Sequence, residues 1–324
     1  MTIEQNNLNF SIQSIDDITR CLMLASLLEL AGWPKPGNVH RTKDFEITKF
    51  EHFLAGIVAI QPNFREFCEG IYQFSYKDDN DFEFVGLGSF FYKAVRSMLK
   101  WQSGGNVILG HILILAPLAA AATVCLKTQN SSINDFQNYL KNIIDASTVE
   151  DTVNLYNAIR LCNPGGLGKS DKYDVNDEKS INEIKKDQVT LKEIFTYSKE
   201  YDLISFEYST IFKIILNEGL PYFLNTFILY KDINIATVNT FLYLLSLHPD
   251  TLIIRKSGKT FALKVSKSAS EILEYGGISS ENGLNLTRKL DEKLQIHKGK
   301  LNPGTTADLI SGIIFCALIF GLKF

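Results

Sequence analysis

The sequence predicts an all-α fold in which many helices form one bundle. Apolar residues recur at helical spacing from the start of the chain, as in Ile18, Leu22, Leu24, Leu27 and Leu28. Short loops rich in Gly, Pro or Asn interrupt this pattern repeatedly. Strand signals are few: residues 251–254 and 261–265 are compatible with short strands, although helices are equally well supported there.

Composition predicts a single domain over residues 1–324. The chain has 45% hydrophobic residues, enough for a large core, and shows neither an internal repeat nor an obvious linker. Its formal net charge is −3, so no basic surplus indicates nucleic acid or an anionic membrane as the main partner.

Cysteine and hydropathy patterns favour a cytoplasmic protein. The five cysteines are scattered and form no CxxC pair, which argues against a disulfide framework and a zinc site. The first ten residues lack the basic and apolar segments of a signal peptide. Two apolar runs, 112–126 and 309–322, are shorter than a membrane span and are expected to be buried helices.

Capping patterns place the first helices. Ser14 and Asp17 have capping-box spacing, which predicts a helix over about 15–31. The Gly and Pro residues of 32–37 end it, because proline lacks a donor and glycine tolerates positive φ. A second helix is predicted around 49–60.

Later in the chain, Thr190 and Glu193 form another capping-box pattern and predict a helix through about Tyr201. The stretch just before it, residues 170–188, is rich in Asp, Glu and Lys. It is predicted to be a flexible surface loop and a candidate lid.

Five loops combine glycine with polar and charged residues, a composition typical of binding loops held by a rigid helical scaffold. The first contains Lys35, Pro36, Gly37, Asn38 and Arg41. Lys35 and Arg41 are candidates for phosphate binding, and Gly37 permits close approach of the backbone. An ordinary helix-terminating turn with solvated bases is the alternative.

The second loop contains Gly105, Asn106 and Gly110 and leads into the apolar helix from Ile112. A glycine loop at a helix N-terminus can bind an anion, because free N–H groups and the helix dipole point at the ligand. The loop matches neither the GxGxxG pattern nor a Walker A sequence.

The third loop supplies Asn163, Gly165, Gly166, Gly168 and Lys169. Its glycines permit a backbone nest for phosphate. Asp174, shortly after it, is a candidate ligand for Mg²⁺, which prefers oxygen. The Gly-Lys-Ser ending copies part of Walker A, but Asn163 stands where the first glycine belongs. An ordinary loop with a charged exit is the alternative.

The fourth and fifth loops each place a carboxylate among hydroxyl, amide or basic side chains. They supply Asp250, Thr251, Arg255 and Lys256, and then Asn302, Gly304, Thr305 and Asp308. Carboxylates suit a metal ion or a ribose, and the two bases suit phosphate. A surface ion pair is the alternative for the fourth loop. In the fifth, Thr305 and Asp308 have capping-box spacing, so capping the last helix is the alternative role of Asp308.

Two histidines, His52 and His111, lie in helical stretches and are expected to have structural roles. Neither has an HxxxH partner, and the chain lacks a GxSxG motif. The sequence therefore supports neither zinc hydrolase nor serine hydrolase chemistry.

Taken in order, these loops resemble the triphosphoribosyl-dephospho-coenzyme A synthase family. That family carries a Pro-Lys-Pro-Gly loop with an upstream glutamate, an Asp-Thr with nearby Arg and Gly, and Asn-Pro-Gly before Ala-Asp-Leu. The matching positions here are Glu29, Pro34 to Gly37, Asp250, Thr251, Arg255, Gly258, Asn302 to Gly304 and Ala307 to Leu309. The resemblance spans about residue 20 to the end.

The resemblance implies transfer of the triphosphoribosyl unit of ATP to the ribose 2′-hydroxyl of dephospho-CoA, with release of adenine. The product is the precursor of the prosthetic group of citrate or malonate lyase. Small molecules are thus the implied partners, and a homodimer is compatible with the sequence. A diverged transferase of another cofactor pathway, such as a pterin pathway, and a nucleotide-binding protein without turnover are the alternatives.

The resemblance also assigns roles. Phosphate binding falls to Lys35, Arg255 and Lys256. Catalytic or metal-binding carboxylates are Glu29, Asp250 and Asp308, with Mg²⁺ accompanying ATP. Asp174 remains a metal candidate on the composition of the third loop alone. The division of roles among these carboxylates stays open.

The second loop departs from the pattern of the bacterial members. They typically carry Asn-Thr-His/Asn-Lys-Gly, whereas this chain has Asn-Val-Ile-Leu-Gly over 106–110, so the basic position has become apolar. This segment and the loop 163–168 look like the archaeal-type branch of the family.

Overall fold

The computed structural model describes residue 8 and residues 10–75, 81–130, 132–168 and 170–324. Within these residues it contains fifteen α-helices and no strand, which confirms the predicted all-α fold. The helices are α1 (Ile15–Ala31), α2 (Phe50–Gln73), α3 (Leu87–Trp101), α4 (Leu109–Thr128), α5 (Ile133–Asp145), α6 (Val149–Cys162), α7 (Ser180–Asp187), α8 (Leu191–Ser198), α9 (Leu203–Thr210), α10 (Leu220–Tyr230), α11 (Ile233–Leu247), α12 (Thr251–Ser257), α13 (Lys259–Glu274), α14 (Glu281–Gln295) and α15 (Gly304–Ile319).

Capping residues set several of these boundaries as predicted. The Ser14 hydroxyl accepts a hydrogen bond from the Asp17 amide and begins α1. Thr190 and Glu193 form the predicted capping box of α8. The helix predicted around 49–60 is longer than expected, because α2 continues through Pro62 to Gln73. The carbonyl that Pro62 leaves without a donor belongs to Val58, whose side chain is exposed, so water can reach this face.

Helices occupy segments for which the sequence allowed strands or predicted a loop. Residues 251–254 lie in α12 and 261–265 lie in α13, so the strand alternative is wrong there. The predicted flexible loop 170–188 is likewise wrong in its second half, which forms α7. Its first half is tied to α6, because Arg160 donates hydrogen bonds to the carbonyls of Val175 and Asp177 at 2.7 and 2.6 Å.

The core is built around α4 and α15, both of which are apolar on almost every face. One cluster of buried side chains extends from Ile18 in α1 to Phe320 after α15. With 20 residues, α4 is long and apolar enough to cross a membrane. The apolar run 112–126 seen in the sequence is shorter than this helix and did not indicate a span. In the most apolar 18-residue stretch of α4, 89% is buried inside the protein, as in the central helix of a helical bundle.

The first turns of α4 and α15 touch each other. Gly110 in α4 lies directly against the Asp308 carboxylate in α15. The N-terminal ends of both helices therefore open toward the same side of the molecule, where the predicted loops also lie.

Candidate active site

One cleft of about 1190 Å³ receives residues from all five predicted loops. The predicted site residues that line it are Glu29, Lys35, Asn38, Asn106, Gly110, Asn163, Gly165, Asp174, Arg255, Lys256, Asn302, Gly304, Thr305 and Asp308. Segments that are distant in sequence thus meet at the open end of α4 and α15. The volume is somewhat above the range of about 300–1,000 Å³ that is usual for small-molecule sites.

Other predicted residues do not line the cleft. They are Pro36, Gly37, Arg41, Gly105, Gly166, Gly168, Asp250 and Thr251. Arg41 is exposed to solvent, so the structure does not place it among the phosphate-binding candidates. Gly166 has φ of +81° and packs beside Lys256, where its conformation shapes the third loop. Lys169 lies outside the described residues.

Four ionisable side chains form the floor of the cleft: Glu29, Lys35, His111 and Asp308. Lys35 Nζ donates to the Glu29 carboxylate and, at 2.7 Å, to the Glu29 carbonyl. His111 Nε2 lies 3.3 Å from Glu29 Oε2 and 3.8 Å from Asp308 Oδ1. Glu29, Lys35 and His111 are almost fully buried, whereas 21% of the Asp308 side chain is exposed. Asp308 is therefore the floor carboxylate that a ligand reaches most easily.

Burial favours the neutral forms of Asp308, Lys35 and His111. It raises the pKa of Asp308 to about 7, lowers the pKa of Lys35 to about 7, and lowers the pKa of His111 to about 4. His111 is thus neutral near pH 7. We assign its hydrogen to Nε2, because both groups near this atom are carboxylates.

The Asp308 carboxylate fits the floor only because position 110 is glycine. A Cβ at Gly110 would lie 1.9 Å from Asp308 Oδ2, which no pair of atoms tolerates. Asp308 accepts no side-chain hydrogen bond from the described residues, so its oxygens stay available to a ligand.

We expect Gly110→Ala to reduce turnover by at least a hundredfold, because the new methyl group must displace the Asp308 carboxylate. The matched control is Gly70→Ala in α2, where a Cβ has open space and should stabilise the helix by about 0.5–1 kcal/mol. Thermal unfolding and turnover of both variants provide the comparison. Normal turnover in a folded Gly110→Ala protein would show that the position of Asp308 does not matter.

α14 holds the first loop in place. Asp291 Oδ1 accepts a hydrogen bond from the Gly37 amide at 2.9 Å, and its Oδ2 lies 2.9 Å from His40 Nε2. Gln295 donates to the Asn38 carbonyl at 2.7 Å. The hydrogen bonds that the Asp291 carboxylate accepts from His40, Gly37 and Gln295 lower its pKa despite its burial, so Asp291 remains an anion that fixes the loop carrying Lys35.

Asp250 is fully buried and does not line the cleft. Its Oδ1 accepts the amides of Leu252 and Ile253 at 2.8 and 3.1 Å, which caps α12. Its Oδ2 accepts the amide and the hydroxyl of Thr306 at 2.7 and 2.8 Å. All four hydrogen bonds come from inside the protein, so this carboxylate joins the fourth loop to the start of α15.

The two basic side chains of the fourth loop differ in how accessible they are from the cleft. Arg255 Nη1 forms a 2.6 Å ion pair with Asp202 Oδ1, and its Nε is buried without a hydrogen-bond partner in the described part of the chain. Lys256 is exposed at the rim and donates to the Gly299 carbonyl at 3.2 Å. Lys256 is therefore the more accessible positive charge.

Comparison with known proteins shows which family the chain belongs to. A family model described as ATP:dephospho-CoA triphosphoribosyl transferase matches residues 15–323. The chain belongs to this family.

A solved structure from Archaeoglobus fulgidus, provisionally named a triphosphoribosyl-dephospho-CoA synthase, is similar to this fold. The TM-score is 0.62 and the sequence identity is 26%, with 83% of this chain and 100% of that chain covered. Its archaeal source agrees with the branch that the second and third loops indicate.

Curated bacterial proteins match over a shorter stretch. A Klebsiella pneumoniae protein named 2-(5″-triphosphoribosyl)-3′-dephosphocoenzyme-A synthase is 28% identical over 100 residues. A Salmonella typhimurium protein that provisionally carries the same name has the same identity. The matched segment covers 31% of this chain and 32% of the length of these relatives.

Sequence reasoning missed several residues of this triphosphoribosyl transferase family site. His111 was expected to be structural, yet it lies between Glu29 and Asp308 in the cleft floor. Its position directly after Gly110 of the second loop was the sequence feature that could have placed it in the site. Asp202, the N-cap of α9, also lines the cleft, as does a group of tyrosines from α6, α8 and the segment between them. No local motif marked these residues.

Proposed function

We propose that this protein transfers the triphosphoribosyl group of ATP to the ribose 2′-hydroxyl of 3′-dephospho-CoA and releases adenine. The observation that carries the proposal is the convergence of five separate loops on one cleft whose floor contains the reachable carboxylate Asp308. Family membership supplies the substrate class. The cleft is large enough to hold parts of two nucleotides at once.

The triphosphate needs positive charge and N–H donors. Lys256 and Arg255 supply the charge from the fourth loop. Gly110 and Gly304, in the first turns of α4 and α15, bring two helix N-termini to the cleft, where the positive end of the helix dipole favours an anion. This arrangement replaces the lysine that bacterial members carry in the second loop.

The ribose needs polar partners of a different kind. Asn38 Nδ2 donates to Asn302 Oδ1 across the first and fifth loops. The Asn38 side-chain oxygen is buried, and no described residue donates to it. Because a buried acceptor without a partner is costly, this atom is suited to receive a ribose hydroxyl when substrate binds.

Asp308 is assigned the proton transfer. The bond between C1′ and N9 of adenine breaks with its electron pair leaving on adenine, and the acceptor's 2′-oxygen bonds to C1′. Asp308 takes the hydroxyl proton and returns it to the departing adenine, so the protons balance. A pKa of about 7 suits a group that accepts and then donates a proton near neutral pH.

Lys35 and His111 hold the Glu29 carboxylate, and Glu29 stabilises the positive charge that develops on the ribose. Glu29 binds both Lys35 and His111, so its carboxylate is fixed in the floor. A fixed negative charge beside the glycosidic carbon favours an oxocarbenium-like transition state. Lys35 acts here through Glu29 rather than as a free phosphate ligand.

Mg²⁺ is proposed to bind together with the triphosphate. No group of three or more His, Cys, Asp or Glu side chains in the described part of the chain is arranged to hold a metal ion. Mg²⁺ commonly takes one or two carboxylates and completes its shell with phosphate oxygens and water. Asp174 lines the cleft, and among the described residues its carboxylate accepts only the backbone amides of Ser170 and Asn176, so it retains lone pairs for this role. The ion would neutralise phosphate charge.

A cytoplasmic location is part of the proposal. The five cysteines all lie in the described residues, and each is a free thiol. Four of them are buried. Free thiols are typical of a reducing compartment.

Adenine release tests the proposed reaction. With ATP and Mg²⁺, we expect adenine to appear at an appreciable rate only when 3′-dephospho-CoA is added, and adenine and transferred product to form in equal amounts. Adenine release that is independent of any acceptor would indicate a nucleosidase. Binding of ATP without any adenine release would indicate a nucleotide-binding protein.

We expect Lys256→Ala to weaken ATP binding by roughly ten- to hundredfold, because it removes an accessible charge from the phosphate region. Lys259→Ala is the matched control, since Lys259 is exposed and does not line the cleft. Titration calorimetry with ATP and Mg²⁺ measures both. Equal dissociation constants for Lys256→Ala and the unmodified protein would remove Lys256 from the phosphate site.

A further inference from the structure

One wall of the cleft is built from tyrosines. Tyr156 lies in α6, Tyr173 lies in the segment before α7, Tyr197 lies in α8 and Tyr201 follows α8; all four line the cleft. We call these residues the tyrosine wall. The proposed chemistry uses none of them.

Two members of the tyrosine wall are anchored. The Tyr156 hydroxyl donates to the Tyr173 carbonyl at 2.6 Å. The Tyr173 hydroxyl donates to Asp187 Oδ2 at 2.9 Å, and its ring packs edge-on against Tyr197, with 5.8 Å between ring centroids. Both anchored rings are nearly buried. Their role is therefore to hold the segment before α7 and the orientation of Tyr197.

The other two members present open ring surface to the cleft. Tyr197 is 47% exposed and Tyr201 is 52% exposed, although both line a concave site. Tyr197 is in the last turn of α8 and Tyr201 is in the turn that follows, so one short stretch of chain brings both to the cleft. Large aromatic surfaces left uncovered inside a cleft mark a place where a ligand is expected to cover them.

We propose that Tyr197 and Tyr201 form a binding subsite for a purine base. A flat aromatic ring can cover the open face of a tyrosine by stacking, and such stacking accepts any base because it depends on the ring face. The inference rests on the proposed function in naming adenine, since ATP and dephospho-CoA both carry this base.

The surroundings favour a nucleotide over a purely apolar ligand. Asp202 directly follows Tyr201 and is paired with Arg255 at 2.6 Å, so a charge pair lies at the edge of the subsite. Ile194 and Ile204 also line the cleft and add apolar surface to it. A base stacked on the tyrosines would therefore place its sugar and phosphates toward Arg255.

Titration calorimetry with adenosine as the probe tests the subsite directly. Adenosine carries the base and sugar without phosphates, so its binding depends little on Lys256 or Mg²⁺. We expect the double variant Tyr197→Ala/Tyr201→Ala to weaken adenosine binding by about tenfold or more. Tyr197→Phe/Tyr201→Phe should retain the affinity, because the ring faces remain.

Tyr275→Ala is the matched control, because Tyr275 is similarly exposed but lies outside the cleft. Separate titrations with ATP and dephospho-CoA identify the source of the base: the substrate whose affinity falls in the alanine variant places its adenine here. Unchanged affinity for adenosine and both substrates would overturn the inference. So would a loss confined to 4′-phosphopantetheine, which would make the wall a site for that arm.

The outcome is independent of turnover. If the protein binds adenosine through these tyrosines yet releases no adenine from ATP, the subsite stands and the proposed reaction fails. If adenine release depends on dephospho-CoA but the tyrosine variants bind every ligand normally, the reaction stands and the subsite fails.

Discussion

Replacing Asp308 with Asn should reduce transfer by about 10²–10⁴-fold while leaving the protein folded. The amide keeps the shape of the side chain beside Gly110 but cannot accept the proton of the 2′-hydroxyl. In the unmodified protein the active form of Asp308 is the carboxylate. The rate of transfer should therefore fall as the pH drops below about 7, and this limb of the pH profile should disappear in the variant.

The same substitution should stabilise the fold above neutral pH. The pKa of Asp308 is raised in the folded protein, so its contribution to stability is full below the unfolded value near 4 and is lost as the pH rises through about 7. This rise in pKa limits the gain in the free energy of unfolding to roughly 4 kcal/mol, and we expect Asp308→Asn to gain about 2 kcal/mol at pH 8. Denaturant unfolding at pH 8 and pH 5 measures it. An Asp308→Asn protein that transfers normally, or that is less stable at pH 8, would contradict the assignment.

Replacing Asp250 with Asn should destabilise the protein by about 2–4 kcal/mol, because its carboxylate accepts four hydrogen bonds inside the fold. An amide has only one accepting atom, so its NH₂ group must face the donors of α12 or of Thr306. Loss of activity should follow from movement of the start of α15 and should be accompanied by a lower unfolding midpoint.

The control for Asp250 is Glu274→Gln at the exposed end of α13, which removes a carboxylate charge that no donor among the described residues contacts. It should change the free energy of unfolding by less than about 0.5 kcal/mol. Asp250→Asn protein with unchanged stability and no transfer would instead give Asp250 the chemical role that its sequence motif suggests.

Local sequence patterns were sufficient to predict the helical fold and the loops that line the cleft. Glycine, proline and asparagine end helices for reasons that act over a few residues, so the first and fifth loops could be located without tertiary information. The extent of α2 was underestimated because the cost of Pro62 depends on whether its side of the helix faces water.

The roles of the two aspartates could not be predicted in the same way. Asp250 and Asp308 both stand near the start of a helix beside threonine. Asp250 caps α12, whereas the N-cap residue of α15 is Pro303, which has no side-chain cap, so the capping-box alternative for Asp308 is wrong. The difference arises from contacts with Thr306 and Gly110, which the spacing of residues in the chain does not encode.

His111 and the tyrosine wall show a second limit. Each becomes part of the cleft through packing between helices, because α4 packs against α15 and α8 packs against α6 and α9. The individual segments resemble ordinary helices. Contacts between segments more than a hundred residues apart, such as Gly37 with Asp291, follow from tertiary packing rather than from a motif.

Mass spectrometry of the reaction product tests the central claim most directly. The unmodified protein, incubated with ATP, Mg²⁺ and 3′-dephospho-CoA, should form a product whose mass is the sum of both substrates minus adenine, and Asp308→Asn should form almost none. Consumption of ATP without this product, or equal amounts of it from both proteins, would contradict the account of a triphosphoribosyl transfer that depends on Asp308.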